Sequence, residues 1–127
     1  MNAVVIDASA LAAVLFDEPE AAPVRASVHG RLIAPGLIRY ELASVSLSKL
    51  MRQPERAADI DARHALIDAL DLTLFEPDWP ELPRLARRWA LSVYDAAYLQ
   101  LALARRVPLV TLDARLAAAY DGAVGAR

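Results

Sequence analysis

Four acidic side chains, widely separated along the chain, occupy positions from which they could share one site. Asp7 and Asp113 each follow a short apolar run typical of a buried strand. Asp95 opens an apolar stretch of helical composition, and Glu41 lies within an apolar helical stripe. Carboxylates that converge repel each other, and a divalent cation among them removes that repulsion. Ligation by oxygen alone favours Mg²⁺ or Mn²⁺, so these acids are candidate metal ligands.

Each acid also has a simpler interpretation that involves no chemistry. Asp is common at helix N-termini, so Asp7, Asp95 and Asp113 could each act only as helix caps. Glu41 could point to solvent. No basic residue lies three or four positions from it, so its expected partner is otherwise a metal ion or a distant Arg. Capping alone does not predict that all four carboxylates face one pocket.

The elements that must position these acids alternate between two patterns. Apolar runs rich in β-branched residues predict strands at Ala3–Ile6, Arg31–Ala34, Leu72–Phe75 and Leu109–Leu112, with a weaker fifth at Ala123–Val124. Apolar residues at helical spacing predict helices near Leu11–Leu15, Ile38–Arg52, Glu55–Leu70, Glu81–Ala90, Val93–Arg106 and Ala114–Tyr120. This alternation predicts an α/β fold with a central, mostly parallel sheet of four or five strands, covered by helices on both faces.

A parallel sheet binds its ligands beyond the carboxyl ends of its strands. Asp7 ends the first predicted strand and Asp113 follows the fourth, so both lie on one rim of the sheet if these strands are neighbours. Asp95 is expected at the positive end of a helix dipole. The fold therefore predicts a site at that rim.

Length and composition limit the classes of protein. With 127 residues, of which 57% are hydrophobic, the chain is predicted to form one domain over residues 1–127. The absence of Cys excludes thiolate chemistry, and two His residues disfavour a zinc site. No apolar stretch approaches the roughly 20 residues of a membrane helix, and the N-terminus lacks the basic start of a signal peptide. We expect a cytoplasmic protein with no membrane partner.

The net charge of −2 argues against a nucleic-acid ligand until the four acids are set aside. Removing these four from the 16 acidic side chains leaves 12, against 14 basic ones. All but one of the basic residues are Arg, whose guanidinium group can bind phosphate through two hydrogen bonds. The pairs Arg87 with Arg88 and Arg105 with Arg106 are either phosphate contacts or solvated helix faces.

Four motifs give the chain a family resemblance. VIDASAL (Val5–Leu11), YELAS (Tyr40–Ser44), LSVYDAAYLQLA (Leu91–Ala102) and LVTLDARLAAA (Leu109–Ala119) resemble, in order and spacing, the motifs of PIN-domain ribonucleases. The most similar type is VapC, the toxin half of bacterial toxin–antitoxin pairs. The resemblance implies a three-layer α/β/α sandwich and an endoribonuclease that depends on Mg²⁺ or Mn²⁺.

The resemblance also implies roles for individual residues. The family's four acidic positions map onto Asp7, Glu41, Asp95 and Asp113, as catalytic residues and metal ligands. Its supporting polar positions map onto Ser9 and Thr111, whose hydroxyls would fix a carboxylate or a metal-bound water. The alternative without a functional role is that both residues only form turns. The implied partners are an RNA substrate, a cognate antitoxin protein whose Arg or Lys reaches the acids, and a second copy of the chain.

One position departs from the family pattern. Some members carry a further acid two residues after the last Asp, where this chain has Arg115. A metal site without that acid is expected to hold one ion firmly and a second only with substrate.

Two other functions remain open. A PIN-like domain without activity would act only as a binding module. A phosphohydrolase with an aspartyl-phosphate intermediate could use Asp7 as nucleophile, but those families need a Lys late in the chain, and the only Lys here is Lys49. The four glycines form neither of the common nucleotide-binding motifs, GxxxxGK and GxGxxG.

Overall fold

The computed structural model describes residues 2–126, which form a four-stranded, fully parallel sheet flanked by helices. The strands are β1 Ala3–Ile6, β2 Arg31–Pro35, β3 Leu72–Phe75 and β4 Leu109–Val110, in the spatial order β3-β2-β1-β4. The helices are α1 Ala8–Leu15, α2 Ala21–Ser27, α3 Ile38–Arg52, α4 Ala57–Ala65, α5 Leu82–Trp89, α6 Val93–Arg105 and α7 Ala114–Gly125. This architecture confirms the predicted α/β three-layer sandwich.

The strand order explains the two helical layers. The connections from β1 to β2 and from β2 to β3 step in one direction, whereas the connection from β3 to β4 returns across the sheet. Because such crossovers are right-handed, the helices of the first two connections and those of the third lie on opposite faces. α6 packs against β1, β2 and β4, and α1 packs against α3. The direction of winding reverses between β1 and β4, which makes their carboxyl ends a preferred place for a ligand.

The core lies between the sheet and its helices. Val4, Val5 and Ile6 of β1 are buried, as expected for a parallel strand that is covered on both faces. Leu99 and Ala102 are fully buried on α6, which explains why this helix is apolar nearly all round. No helix within residues 2–126 combines the length and the apolar character needed to cross a membrane.

The predicted fifth strand at Ala123–Val124 is wrong. Both residues lie in α7, which runs beyond its predicted end at Tyr120. Ala119 and Ala123 are buried one turn apart, so Ala123 belongs to the core-facing side of a helix. A two-residue apolar run has no periodicity that could separate a strand from a helix.

Two further segments differ from their predictions. Helix α2 is not predicted, because it buries only Ala21 and Val24 and has a Pro in its first turn, where a missing N–H is tolerated. The continuous helix predicted over Glu55–Leu70 is instead α4 flanked by the 3₁₀ turns Pro54–Arg56 and Leu66–Ala69.

Candidate active site

Asp7 lies at the carboxyl end of β1 and caps the N-terminus of α1. Its side chain is 95% buried, and both carboxylate oxygens have partners. Oδ1 accepts hydrogen bonds from the Ser9 hydroxyl at 2.7 Å and from the Ala10 N–H at 3.0 Å, and Oδ2 accepts one from the Thr111 hydroxyl. Asp7 is therefore held in one orientation by two elements of the fold.

Asp113 follows β4 and caps the N-terminus of α7 through bonds from the Arg115 and Leu116 N–H groups to Oδ1, at 2.8 and 3.2 Å. Because β1 pairs directly with β4, Asp7 and Asp113 lie on the same rim of the sheet, as the sequence predicts for neighbouring strands. Asp7 and Asp113 are therefore both helix caps, as the simpler interpretation predicts. Oδ2 of Asp113, however, accepts no hydrogen bond from residues 2–126.

Ser9 and Thr111 connect the two strand ends. The Ser9 hydroxyl donates to Asp7 and accepts from the Leu112 N–H at 3.0 Å. The Thr111 hydroxyl donates to Asp7 and accepts from the Asp113 N–H at 3.0 Å. Each hydroxyl thus uses its single proton on Asp7 while fixing the loop after β4.

Asp95 lies in the first turn of α6 but does not cap it. Ser92 is the cap, and its hydroxyl accepts from the Asp95 N–H at 3.0 Å. The Asp95 carboxylate is thereby left for another role. Partial burial raises its pKa most, followed by the negative charges of Asp113 and Asp7, while Ser92 and Arg115 act in the opposite direction.

Glu41 lies in the first turn of α3, and its partner is a residue that the sequence did not suggest. Its Oε1 accepts a hydrogen bond from the Tyr98 hydroxyl at 2.7 Å, across 57 positions of the chain. Burial raises the pKa of Glu41 most; the Tyr98 bond lowers it, and the charges of Asp95 and Asp7 raise it further. In the structure, the partner of Glu41 is thus a phenol, and a metal ion as a further partner stays a prediction.

Tyr98 is a core residue with a polar end. It is 99% buried, and burial together with Glu41 raises the pKa of its hydroxyl, so it stays protonated and donates. Its position three residues after Asp95 puts both side chains on one face of α6. This spacing is the only sequence signal that could have connected Tyr98 to the acids.

The four acids act on one another through their charges. The charges of Asp7 and Asp95 act on Glu41, and those of Asp7 and Asp113 act on Asp95. Within residues 2–126, none of the four forms an ion pair with a basic side chain. The structure therefore brings all four predicted residues to one region, where their mutual repulsion has no ion-pair partner to offset it.

This region has the donor chemistry of a site for a hard cation, although it is not a preformed cage. No three acidic or histidine side chains of residues 2–126 are arranged as a ready-made ion site. Four carboxylates and two hydroxyls supply oxygen ligands only, a set that suits Mg²⁺ or Mn²⁺. The residues present fit such an ion by their chemistry, and a cation would draw the carboxylates together.

The larger cavities lie elsewhere. One of about 410 Å³ is lined by residues that include Glu76, Gln100 and Arg105, and another of about 500 Å³ by residues that include Tyr40 and Trp79. None of the four acids lines either cavity. At the acidic site itself, Asp7 is buried, and Glu41, Asp95 and Asp113 are partly exposed.

The sequence matches a known family over most of its length. Residues 4–122 match the family model described as the PIN domain. The chain belongs to the PIN-domain family. The PIN match covers the segments that contain all four acids and both supporting hydroxyls.

Individual relatives refine the placement within the PIN family. The chain is 37% identical over 117 residues to VapC ribonuclease Mb0985 of Mycobacterium bovis, covering 89% of this chain and 87% of the relative. The same figures apply to Ribonuclease VapC9 of Mycobacterium tuberculosis. Among solved structures, PAE2754 from Pyrobaculum aerophilum has a TM-score of 0.76 at 25% identity, over 95% of this chain and 87% of that one. This PIN-domain chain is therefore of the VapC type.

Proposed function

We propose that this PIN-domain protein is a metal-dependent endoribonuclease that hydrolyses RNA phosphodiester bonds and acts as the toxin of a toxin–antitoxin pair. The observation that supports this function most directly is the mutual effect of the charges of Asp7, Glu41, Asp95 and Asp113 at the carboxyl rim of the sheet. The relatives named as VapC ribonucleases support RNA as the substrate class.

Asp7, Asp95 and Asp113 are the proposed main ligands of Mg²⁺ or Mn²⁺, and Glu41 is a further ligand or a base. When bound, the ion lowers the pKa of its water and polarises the phosphate oxygens. The chain itself prepares the ligands: Ser9 and Thr111 fix Asp7, and the helix dipole of α6 favours negative charge at Asp95. No side-chain nucleophile is required.

Glu41 is positioned to act as a general base, which accepts a proton and later releases it. Its raised pKa favours proton uptake, and the bond from Tyr98 leaves Oε2 available to accept a proton from the attacking water. In the proposed step, the water oxygen bonds to phosphorus, the bond from phosphorus to the leaving ribose oxygen breaks, and solvent protonates the leaving oxygen. Glu41 then returns its proton to solvent.

Asp7 as a nucleophile is the alternative mechanism. Families that form an aspartyl-phosphate intermediate pair the acid with a Lys late in the chain, whereas the only Lys of this sequence, Lys49, pairs with Glu18 at 3.2 Å. The aspartyl-phosphate mechanism therefore has less support than hydrolysis by an activated water.

Cleavage-site mapping on total RNA with Mg²⁺ or Mn²⁺ tests the proposed function. We expect wild-type protein to cut at discrete positions, and the nearly isosteric variant Asp95→Asn, with an unchanged circular dichroism spectrum, to lose at least about a hundredfold of that activity. A folded, metal-replete wild-type protein that cuts no RNA would instead favour a PIN-like binding module without catalysis.

The antitoxin partner is proposed to act on the same rim. Four carboxylates that lack ion-pair partners within residues 2–126 would attract an Arg or Lys of an antitoxin tail. Such a tail would both neutralise the site and block RNA.

A homodimer is proposed through α3. Tyr40, Leu47 and Met51 lie on one face of this helix and are 82%, 56% and 75% exposed. Apolar side chains that are exposed at helical spacing typically mark an interface. We expect sedimentation analysis to show a dimer that Met51→Glu weakens; a wild-type chain that stays monomeric at high concentration would contradict this proposal.

A further inference from the structure

Arg115 is a cation placed at the edge of the acidic site. It lies in the first turn of α7, two residues after Asp113, and its N–H is held by Asp113 Oδ1 at 2.8 Å. This bond fixes the start of its side chain relative to the acids. Within residues 2–126, the guanidinium of Arg115 forms no ion pair with Asp113.

The Arg115 side chain is exposed and has no ion pair or side-chain hydrogen bond with any residue of 2–126. Arg39 and Arg84 are also exposed but form ion pairs, whereas Arg25 resembles Arg115 in having none, so what distinguishes Arg115 is its position beside the acids. The Arg115 charge nevertheless acts on Asp95, and it is the only basic group among those that shift Glu41 or Asp95. Its five donor hydrogens are available to a ligand at the acids.

We propose that Arg115 binds a phosphate oxygen of the RNA strand as that strand enters the acidic site, an inference that rests on the proposed ribonuclease function. RNA approaching four carboxylates is repelled, and a divalent ion offsets only part of their charge. A guanidinium at the edge of the acids gives the incoming phosphate a direct partner with matching fork geometry. Arg115 is therefore a substrate-binding residue at the edge of the acidic site.

RNA binding measured without turnover tests this role. Fluorescence anisotropy of a labelled single-stranded RNA, with Ca²⁺ in place of Mg²⁺, gives the dissociation constant at several salt concentrations. We expect Arg115→Gln to weaken binding roughly tenfold, as for the loss of one charge-assisted hydrogen bond. We also expect it to reduce the slope of log affinity against log salt by about 0.7, the value for one lost phosphate contact on a single strand.

Matched variants separate this role from a general loss of charge. Arg25→Gln removes an exposed positive charge from the last turn of α2, before the amino end of β2, and should leave both the affinity and the slope unchanged. Arg115→Lys keeps the charge without the fork, so it should restore the salt slope and only part of the affinity.

Metal binding provides a second readout. In titration calorimetry with Mn²⁺ and no RNA, Arg115→Glu should bind the ion about tenfold more tightly than wild type, because a negative charge replaces a positive one beside the ligands. The same variant should bind RNA more weakly than Arg115→Gln does.

The possible results distinguish this inference from the proposed function. If Arg115→Gln binds and cleaves RNA as wild type does, the role of Arg115 is wrong and the ribonuclease proposal stands. If wild type itself neither binds nor cleaves RNA, both proposals fail.

Discussion

At the level of single residues, the site depends on hydrogen bonds that orient acids against their mutual repulsion. Asp7 is fixed by Ser9 and Thr111, and Glu41 is fixed by Tyr98. The family resemblance suggested Ser9 and Thr111, and in the structure both hydroxyls donate to Asp7. The sequence placed Tyr98 only in the core, since its contact with Glu41 spans 57 positions and depends on how α3 meets α6.

Removal of the Tyr98 hydroxyl should impair Glu41 while the fold is retained. In Tyr98→Phe, the carboxylate loses a bond that favours its charged form, so its pKa should rise further. We expect kcat/KM to fall about tenfold, since a hydrogen bond to a charged group contributes roughly 1.5–3 kcal/mol. The acidic limb of the pH–rate profile should move to higher pH.

Tyr94→Phe is the matched control for that variant. Tyr94 lies on the same helix but is exposed, and its hydroxyl makes no hydrogen bond with residues 2–126. Its loss should change neither rate nor profile. An unshifted acidic limb in Tyr98→Phe would show that Glu41 does not gain or lose a proton in the reaction.

At the level of elements, four helix N-termini set the position of the acids, and two of these helices begin soon after the ends of β1 and β4. Alternating patterns in the sequence were sufficient to predict the four strands and the start of α6, because apolar runs and helical spacing are local signals. The order of the strands is not a local signal, and the pairing of β1 with β4 was an assumption until the structure confirmed it. The mistaken strand at Ala123–Val124 has the same origin, because only tertiary packing shows that α7 continues.

The cap of α6 should support both stability and the position of Asp95. Ser92→Ala removes the hydroxyl that accepts the Asp95 N–H, and we expect a loss of about 1 kcal/mol in the free energy of unfolding, measured by urea titration. Ser92→Asp, which keeps a capping acceptor, should recover most of that stability. If Ser92→Ala is as stable as wild type, the capping bond contributes nothing and Asp95 is positioned by packing alone.

At the level of the whole molecule, charge is distributed unevenly. The net charge of −2 includes four carboxylates gathered on one rim, where burial and like charges raise the pKa of Glu41 and Asp95. Each of these carboxyls has a higher pKa in the folded state than in the unfolded state, where it is about 4. Such a group stabilises the folded state fully at a pH below the unfolded-state pKa. That stabilisation is lost as the pH rises through the folded-state pKa. We therefore expect this site to lower the free energy of unfolding of the metal-free protein at neutral pH.

Other groups also make stability depend on pH; Asp59, for example, has its pKa lowered by its arginine partners. Comparing the Tm of wild type with that of Asp95→Asn separates the effect of the acidic site from theirs. In EDTA at pH 8, Asp95→Asn should have a higher Tm than wild type, and the difference should shrink as the pH is lowered toward 5. Addition of Mn²⁺ at pH 8 should raise the Tm of wild type more than that of the variant. Equal Tm values at every pH would mean that the acids do not destabilise one another.

We propose that Asp7, Glu41, Asp95 and Asp113 together form a site for a divalent cation. Anomalous diffraction from crystals soaked in Mn²⁺ tests it most directly, because the signal locates the ion without reference to activity. We expect a peak at about 2.1 Å from oxygens of Asp7, Asp95 and Asp113. A fully soaked crystal with its manganese peaks elsewhere and none among these carboxylates would contradict it.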